Sequence, residues 1–104
     1  MIIERHPYAI ELDDNGDPMS DDAGEIARIW IDGAARVWIA AFRLEDPAEF
    51  GRLMADTVRH AARAYAGTWS IEEDDALQRI VDGLGTELRD QFRTITTIQQ
   101  GSLD

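Results

Sequence analysis

The stretch Glu25-Ile26-Ala27-Arg28-Ile29-Trp30-Ile31-Asp32-Gly33-Ala34-Ala35-Arg36-Val37-Trp38-Ile39-Ala40-Ala41-Phe42-Arg43 sets two β-rich runs around an Asp-Gly pair. Residues 25–31 and 36–43 are enriched in Ile, Val, Trp and Phe, which fit a pleated, half-buried surface. Asp32-Gly33 between them is a hairpin turn signal. Turn length then decides which side chains share a face, because a one-residue slip moves every side chain of a strand to the opposite face. A three-residue loop, Asp32 to Ala34, segregates the chemistry most cleanly. Ala27, Ile29, Ile31, Val37, Ile39 and Ala41 form one face, and Arg28, Trp30, Arg36, Trp38 and Phe42 the other. A two- or four-residue loop would place Trp30 and Trp38 on opposite faces. The three-residue loop is the expected one.

On the C-terminal side, Asp46-Pro47-Ala48-Glu49 is a helix start. Asp46 can cap, Pro47 suits the first helical position, and Glu49 completes a capping-box-like pair. The spacing predicts a helix to about Ala66, stopping at Gly67. Phe50, Leu53, Met54, Thr57, Val58, Ala61, Ala64 and Tyr65 make its apolar stripe, flanked by the small residues Gly51, Ala55, Ala62 and Ala66. A surface this wide calls for two packing neighbours. Ser70 is expected to cap a second helix, with Glu73 three residues on and Glu72, Asp74 and Asp75 near the positive end of its dipole. Its single stripe is Leu77, Ile80, Val81, Leu84, Leu88 and Phe92. Thr94-Ile95-Thr96-Thr97-Ile98 reads either as an edge strand or as part of a flexible tail over 94–104.

On the N-terminal side, Tyr8-Ala9-Ile10-Glu11-Leu12 alternates like a strand that would extend the hairpin to three strands, Pro7 favouring an edge. Residues 13–24 collect acids and turn formers, and read as an acidic mobile loop. The expected fold is therefore α+β, one domain over 1–104: an antiparallel β-hairpin packed on two antiparallel α-helices. A hairpin alone is marginal and the first helix is two-sided. Both are relieved if two chains associate, so a symmetric homodimer is expected.

Composition excludes much of the common catalytic apparatus. Cysteine and lysine are absent, and all ten basic residues are arginine. Disulfides, thiolate metal sites, Schiff-base lysines and phosphate-loop lysines are therefore excluded. No serine among Ser20, Ser70 and Ser102 has a nucleophile-elbow setting. With only His6 and His60, a multi-histidine metal site would need two chains. The net charge of −11 argues against nucleic acid as a partner. No apolar run reaches the roughly 18 residues of a membrane span, and no secretory signal precedes the domain, so a cytoplasmic location without membrane contact is expected. No cofactor, metal or catalytic residue is assigned, and a non-enzyme is expected.

From Glu25 to about Leu88 the chain resembles a family of short bacterial proteins catalogued as a domain of unknown function. The resemblance is carried by Arg28-Ile29-Trp30-Ile31, by Asp46-Pro47-Ala48 with Gly51, by Arg59-His60-Ala61 leading to Ala64-Tyr65, and by Arg79-Ile80. Trp38 and the segments before Glu25 and after Arg93 lie outside it. It implies a small bacterial α+β protein with a strand-turn-strand-helix-helix frame, and no activity.

Three constellations remain. Arg28, Trp30, Arg36, Trp38 and Phe42 pair the residue types most enriched at interface hot spots. They read as a subunit interface, as core tryptophans covered by flat-lying arginines, or as a ligand shelf. Arg59, His60 and Arg63 form a candidate site for a small anionic ligand, or else a helix-boundary histidine with an Asp56 pair one turn away. Asp13-x-Asn15-x-Asp17 opens like a calcium loop, but Pro18 and Gly24 hold the places where glycine and glutamate belong, so no metal site is assigned. The functional expectation is a small non-enzymatic interaction or regulatory module acting as a homodimer. Binding of a small anionic ligand is the alternative.

Overall fold

The computed structural model describes residues 6–12 and 18–103, with residues 94–103 described by backbone alone. The chain forms two compact units, Met1–Arg43 and Leu44–Asp104. Together they hold an antiparallel hairpin and two helices, an α+β set.

In the first unit, β1 (Ala27–Asp32) pairs antiparallel with β2 (Ala34–Ile39). The register is Ala27 to Ile39, Arg28 to Trp38, Ile29 to Val37, Trp30 to Arg36, Ile31 to Ala35 and Asp32 to Ala34. This is the register of the Asp32–Ala34 loop. Gly33 forms its apex at φ 74°, a left-handed conformation that glycine adopts without penalty. Among the described residues the sheet has two strands. The third, N-terminal strand is not formed by residues 6–12. There the Ala9 N–H donates to the His6 carbonyl at 3.0 Å. This closes a turn with Pro7 at its second position, where its fixed φ is favoured. The Tyr8 N–H is also taken up locally, by His6 Nδ1 at 3.1 Å.

β2 ends at Ile39, and a short 3-10 helix, η1 (Ala41–Arg43), follows. The Arg43 N–H donates to the Ala40 carbonyl at 3.1 Å. Phe42 and Ala41 are therefore carried off the sheet faces to which strand alternation assigned them. Arg43 instead lies against Gly24, where any Cβ would meet its guanidinium.

In the second unit, α1 (Pro47–Trp69) begins as its sequence dictates. Asp46 is the N-cap, in extended conformation, and its Oδ1 accepts the Ala48 N–H at 3.0 Å. Glu49 does not complete the capping box. Its carboxylate turns to Arg52, 3.0 Å away, and strengthens the acidic first turn instead. The helix runs through Gly67 and ends at Ser70, which holds φ 55° and ψ 44°. One glycine costs only about 1 kcal/mol of helix propensity, too little to end a helix by itself.

Ser70 therefore closes α1 rather than opening the next helix. Only residues 70–72 separate the helices, and the left-handed Ser70 supplies the change of direction. α2 (Glu73–Leu103) is 31 residues long, about 46 Å at 1.5 Å per residue. Its first turn is held by the Ala76 N–H donating to the Glu72 carbonyl at 3.0 Å. Thr94–Ile98 lie within α2, not in an edge strand. Their β-branched side chains lower helix propensity by only tenths of a kcal/mol each, which an established helix absorbs.

The helices contact each other, and the two buried side chains among the described residues are alanines, Ala62 at 0% exposure and Ala76 at 3%. On α1, burial follows Phe50, Leu53, Met54, Val58, Ala61, Ala62 and Ala66, while Ala64 and Tyr65 are exposed. The contact has rotated from the large-residue stripe towards the small-residue strip in its C-terminal half. Small side chains let two helix backbones approach closely, at the cost of burying little apolar area.

Candidate functional site

The hairpin brings four of its five predicted residues onto one face. Arg28 stands opposite Trp38 and Trp30 opposite Arg36, so each strand contributes one guanidinium and one indole. Directly opposed residues are the unit of interaction across a sheet. The Arg36 guanidinium carbon lies 5.2 Å from the Trp38 ring centroid, within cation–π range. Phe42 is absent from this face. It lies in η1, exposed, with the Arg43 guanidinium 5.1 Å from its ring centroid.

Each arginine of the face also has its own carboxylate. Arg28 holds Glu25 through two contacts, Nη2 to Oε1 at 2.7 Å and Nε to Oε2 at 3.2 Å. Arg36 Nη1 reaches Asp32 Oδ2 at 3.5 Å. These exposed pairs contribute little to stability, but they orient the guanidiniums. His6 completes the aromatic set, its ring edge-on to Trp30 with centroids 4.9 Å apart. An open concavity of about 610 Å³ at the Glu25 end of the hairpin is lined by Glu25, Ala27, Arg28, Trp30, Trp38 and Ile39 among others.

Neither face of the hairpin is buried. On the aliphatic face Ile29 is 63% exposed, Ile31 79%, Val37 51% and Ile39 45%, and on the other Trp38 is 51% exposed. Full burial of an aliphatic side chain is worth about 1.5–3 kcal/mol, so a large part of this hairpin's hydrophobic stabilisation is unrealised within its own unit. α2 repeats the pattern, with Val81, Leu84, Leu88 and Phe92 all exposed along one stripe.

The second predicted cluster is only partly assembled. Arg59 Nη1 and Arg63 Nε converge on Glu73 Oε2, at 3.7 and 3.6 Å. Both cations thus have a counter-ion from α2. His60 does not join them. Its Nδ1 lies 2.8 Å from the Asp56 carbonyl oxygen, which can only accept, so that nitrogen carries the proton and donates within the helix. The expected Asp56 contact is therefore to the backbone and not to the carboxylate. Among the described residues no three metal-ligating side chains gather as a metal site. The Asp13–Asp17 calcium-like opening lies outside the described residues. No helix among the described residues is long and apolar enough to cross a membrane.

Glu25, Asp32, Glu73 and His6 are the members that sequence reading missed. The first two lie three and four residues from the arginines they hold, a spacing with no fixed meaning around a hairpin. Glu73 reaches its partners through the helix pairing, which no sequence spacing announces.

The fold and the open hairpin define a small α+β protein of the strand-turn-strand-helix-helix type. The chain belongs to the family described as "Domain of unknown function (DUF5076)", whose model matches residues 18–91. This match includes the whole of the 25–88 resemblance. Among solved structures, the chain is similar to a protein described as a "putative pyruvate dehydrogenase" from the photosynthetic bacterium Rhodopseudomonas palustrus CGA009. The likeness has 35% identity and a TM-score of 0.58, covering 82% of this chain and 86% of that one. No curated protein matches.

Proposed function

We propose that this protein is a non-enzymatic interaction module that acts as a homodimer through its hairpin, with Arg28, Trp30, Arg36 and Trp38 in the binding surface. The observation that carries this reading is the exposure of apolar side chains on both sheet faces. A two-stranded hairpin is marginal in water, and three or more strands with a hydrophobic face, or packing against a helix, are what make a sheet independently stable. The same fold offers little to an enzyme. His60 has one ring nitrogen engaged by its own helix, and the arginines of the two clusters have carboxylate partners.

The small-anion reading rests on one observation, the convergence of Arg59 and Arg63 on a single carboxylate oxygen. An external anion would have to displace Glu73, which ranks this reading second.

Association through the hairpin is expected to appear in tryptophan emission. In a Trp69→Phe variant only Trp30 and Trp38 report. Dilution from tens of micromolar to nanomolar should then shift the emission to the red as Trp30, the half-buried indole of β1, gains water. An emission maximum constant over that range overturns the reading.

A further inference from the structure

We infer that two copies of this chain join edge to edge through β1, in a register centred on Trp30, to make a four-stranded sheet. This rests on the homodimer reading and specifies its interface. The phase of the hairpin follows from the Ala40 N–H, which donates to the Ile26 carbonyl at 2.8 Å. Hydrogen-bonded and non-hydrogen-bonded pairs alternate along an antiparallel ladder. Arg28, Trp30 and Asp32 therefore spend their backbone groups on β2. Ala27, Ile29 and Ile31 turn theirs to the open edge of β1, and among the described residues nothing bonds them there. β2 has the same open edge at Ala35, Val37 and Ile39.

An exposed strand edge with apolar side chains is a template for another strand. Neither strand carries a proline to block pairing. A two-fold axis further restricts the register, because the same patch must complement itself. Centring β1 on Trp30 sets Ile29 opposite the second copy's Ile31, so the outward backbone groups meet and bond. It also sets Arg28 opposite the second copy's Asp32, twice, by symmetry. Centring on Ile29 instead sets Arg28 against the second copy's Trp30 and leaves Asp32 outside the paired strands.

The β2 edge has no such complementarity. Its one charged residue is Arg36. Centring there opposes two guanidiniums, and centring on Val37 or Trp38 makes no ion pair. Charge therefore selects the β1 edge and the Trp30 register. The present partners of Arg28 and Asp32 are solvent-exposed and readily shared, since a guanidinium offers five N–H donors. The product runs β2-β1-β1-β2, with Ile29, Ile31, Val37 and Ile39 of both copies continuous on one face and the four tryptophans on the other.

Reversal of charge tests the register. Arg28→Asp alone and Asp32→Arg alone each oppose like charges at both symmetric positions. Each should weaken association by about tenfold or more, given the strength of opposed charge pairs. The double variant Arg28→Asp/Asp32→Arg restores opposite charges across the junction, although it spoils both pairs within the chain. It should associate within about threefold of the parent, a difference small on the scale of such pairs. A double variant no better than the singles overturns the register while the parent remains dimeric. A parent that is itself monomeric overturns the homodimer reading as well. The edge is tested separately by proline, which removes an outward N–H that bonds nothing within the hairpin. Ile29→Pro should abolish association and Val37→Pro should leave it intact. Equal loss in both, or loss in Val37→Pro alone, overturns the β1 edge.

Discussion

The double variant Trp30→Ala/Trp38→Ala is expected to be monomeric at concentrations where the parent associates, with its helix content unchanged. Trp30 stands at the β1 junction and Trp38 one strand away, and a tryptophan at the centre of an interface costs about 2 kcal/mol or more on truncation, so the dissociation constant should rise by about thirtyfold or more. Trp38 loses the Arg36 guanidinium held 5.2 Å from its ring, and Trp30 loses its edge-on contact with His6. The helices have their own support. They meet at Ala62 and Ala76, and Glu73 ties α2 to Arg59 and Arg63. Far-UV circular dichroism should therefore keep the helical signal while the mass falls. Loss of that signal would show that the indoles hold the whole chain together, and the surface would lose its assignment.

The second large effect is expected at Ala62. It is the one described side chain with no exposure, and it lies on the side of α1 that contacts α2. Ala62→Leu adds three carbons at a fully buried position, an overpacking expected to cost about 1–3 kcal/mol. For a domain of this length that corresponds to roughly 5–20 °C of melting temperature. Ala64→Leu, on the exposed side of the same helix, makes the same chemical change and should leave the melting temperature within about 2 °C, as surface substitutions do. Equal melting temperatures for the two variants would show that the helices do not meet at Ala62.

These two sites differ in how far the sequence announces them. The hairpin was legible because alternation around Asp32-Gly33 permits one loop length that separates aliphatic from Arg/Trp positions, and the strands pair in that register. The start of α1 was legible because Asp46 and Pro47 act within one turn of chain. Its end was not. Gly67 is a stop signal by type, but the left-handed turn falls at Ser70, where the chain must change direction into α2. Thr94–Ile98 misled for the opposite reason, since β-branching is a weak local preference and α2 continues through it.

Phe42 followed strand alternation only on paper, because β2 stops at Ile39 and η1 redirects the chain. The N-terminal strand failed on a local bond, the turn from His6 to Ala9. At the candidate sites, residue types were legible and counter-charges were not. Arg59 and Arg63 find Glu73 only after two helices have paired. The exposure of Ile29, Ile31, Val37 and Ile39 was likewise invisible, because alternation separates the faces of a sheet without saying what covers either.

The exposed hairpin is expected to belong to a two-chain assembly. Multi-angle light scattering on the full chain at micromolar concentration tests it most directly. The expected mass is twice the 11.7 kDa of one chain. A mass of 11.7 kDa across that range would contradict it.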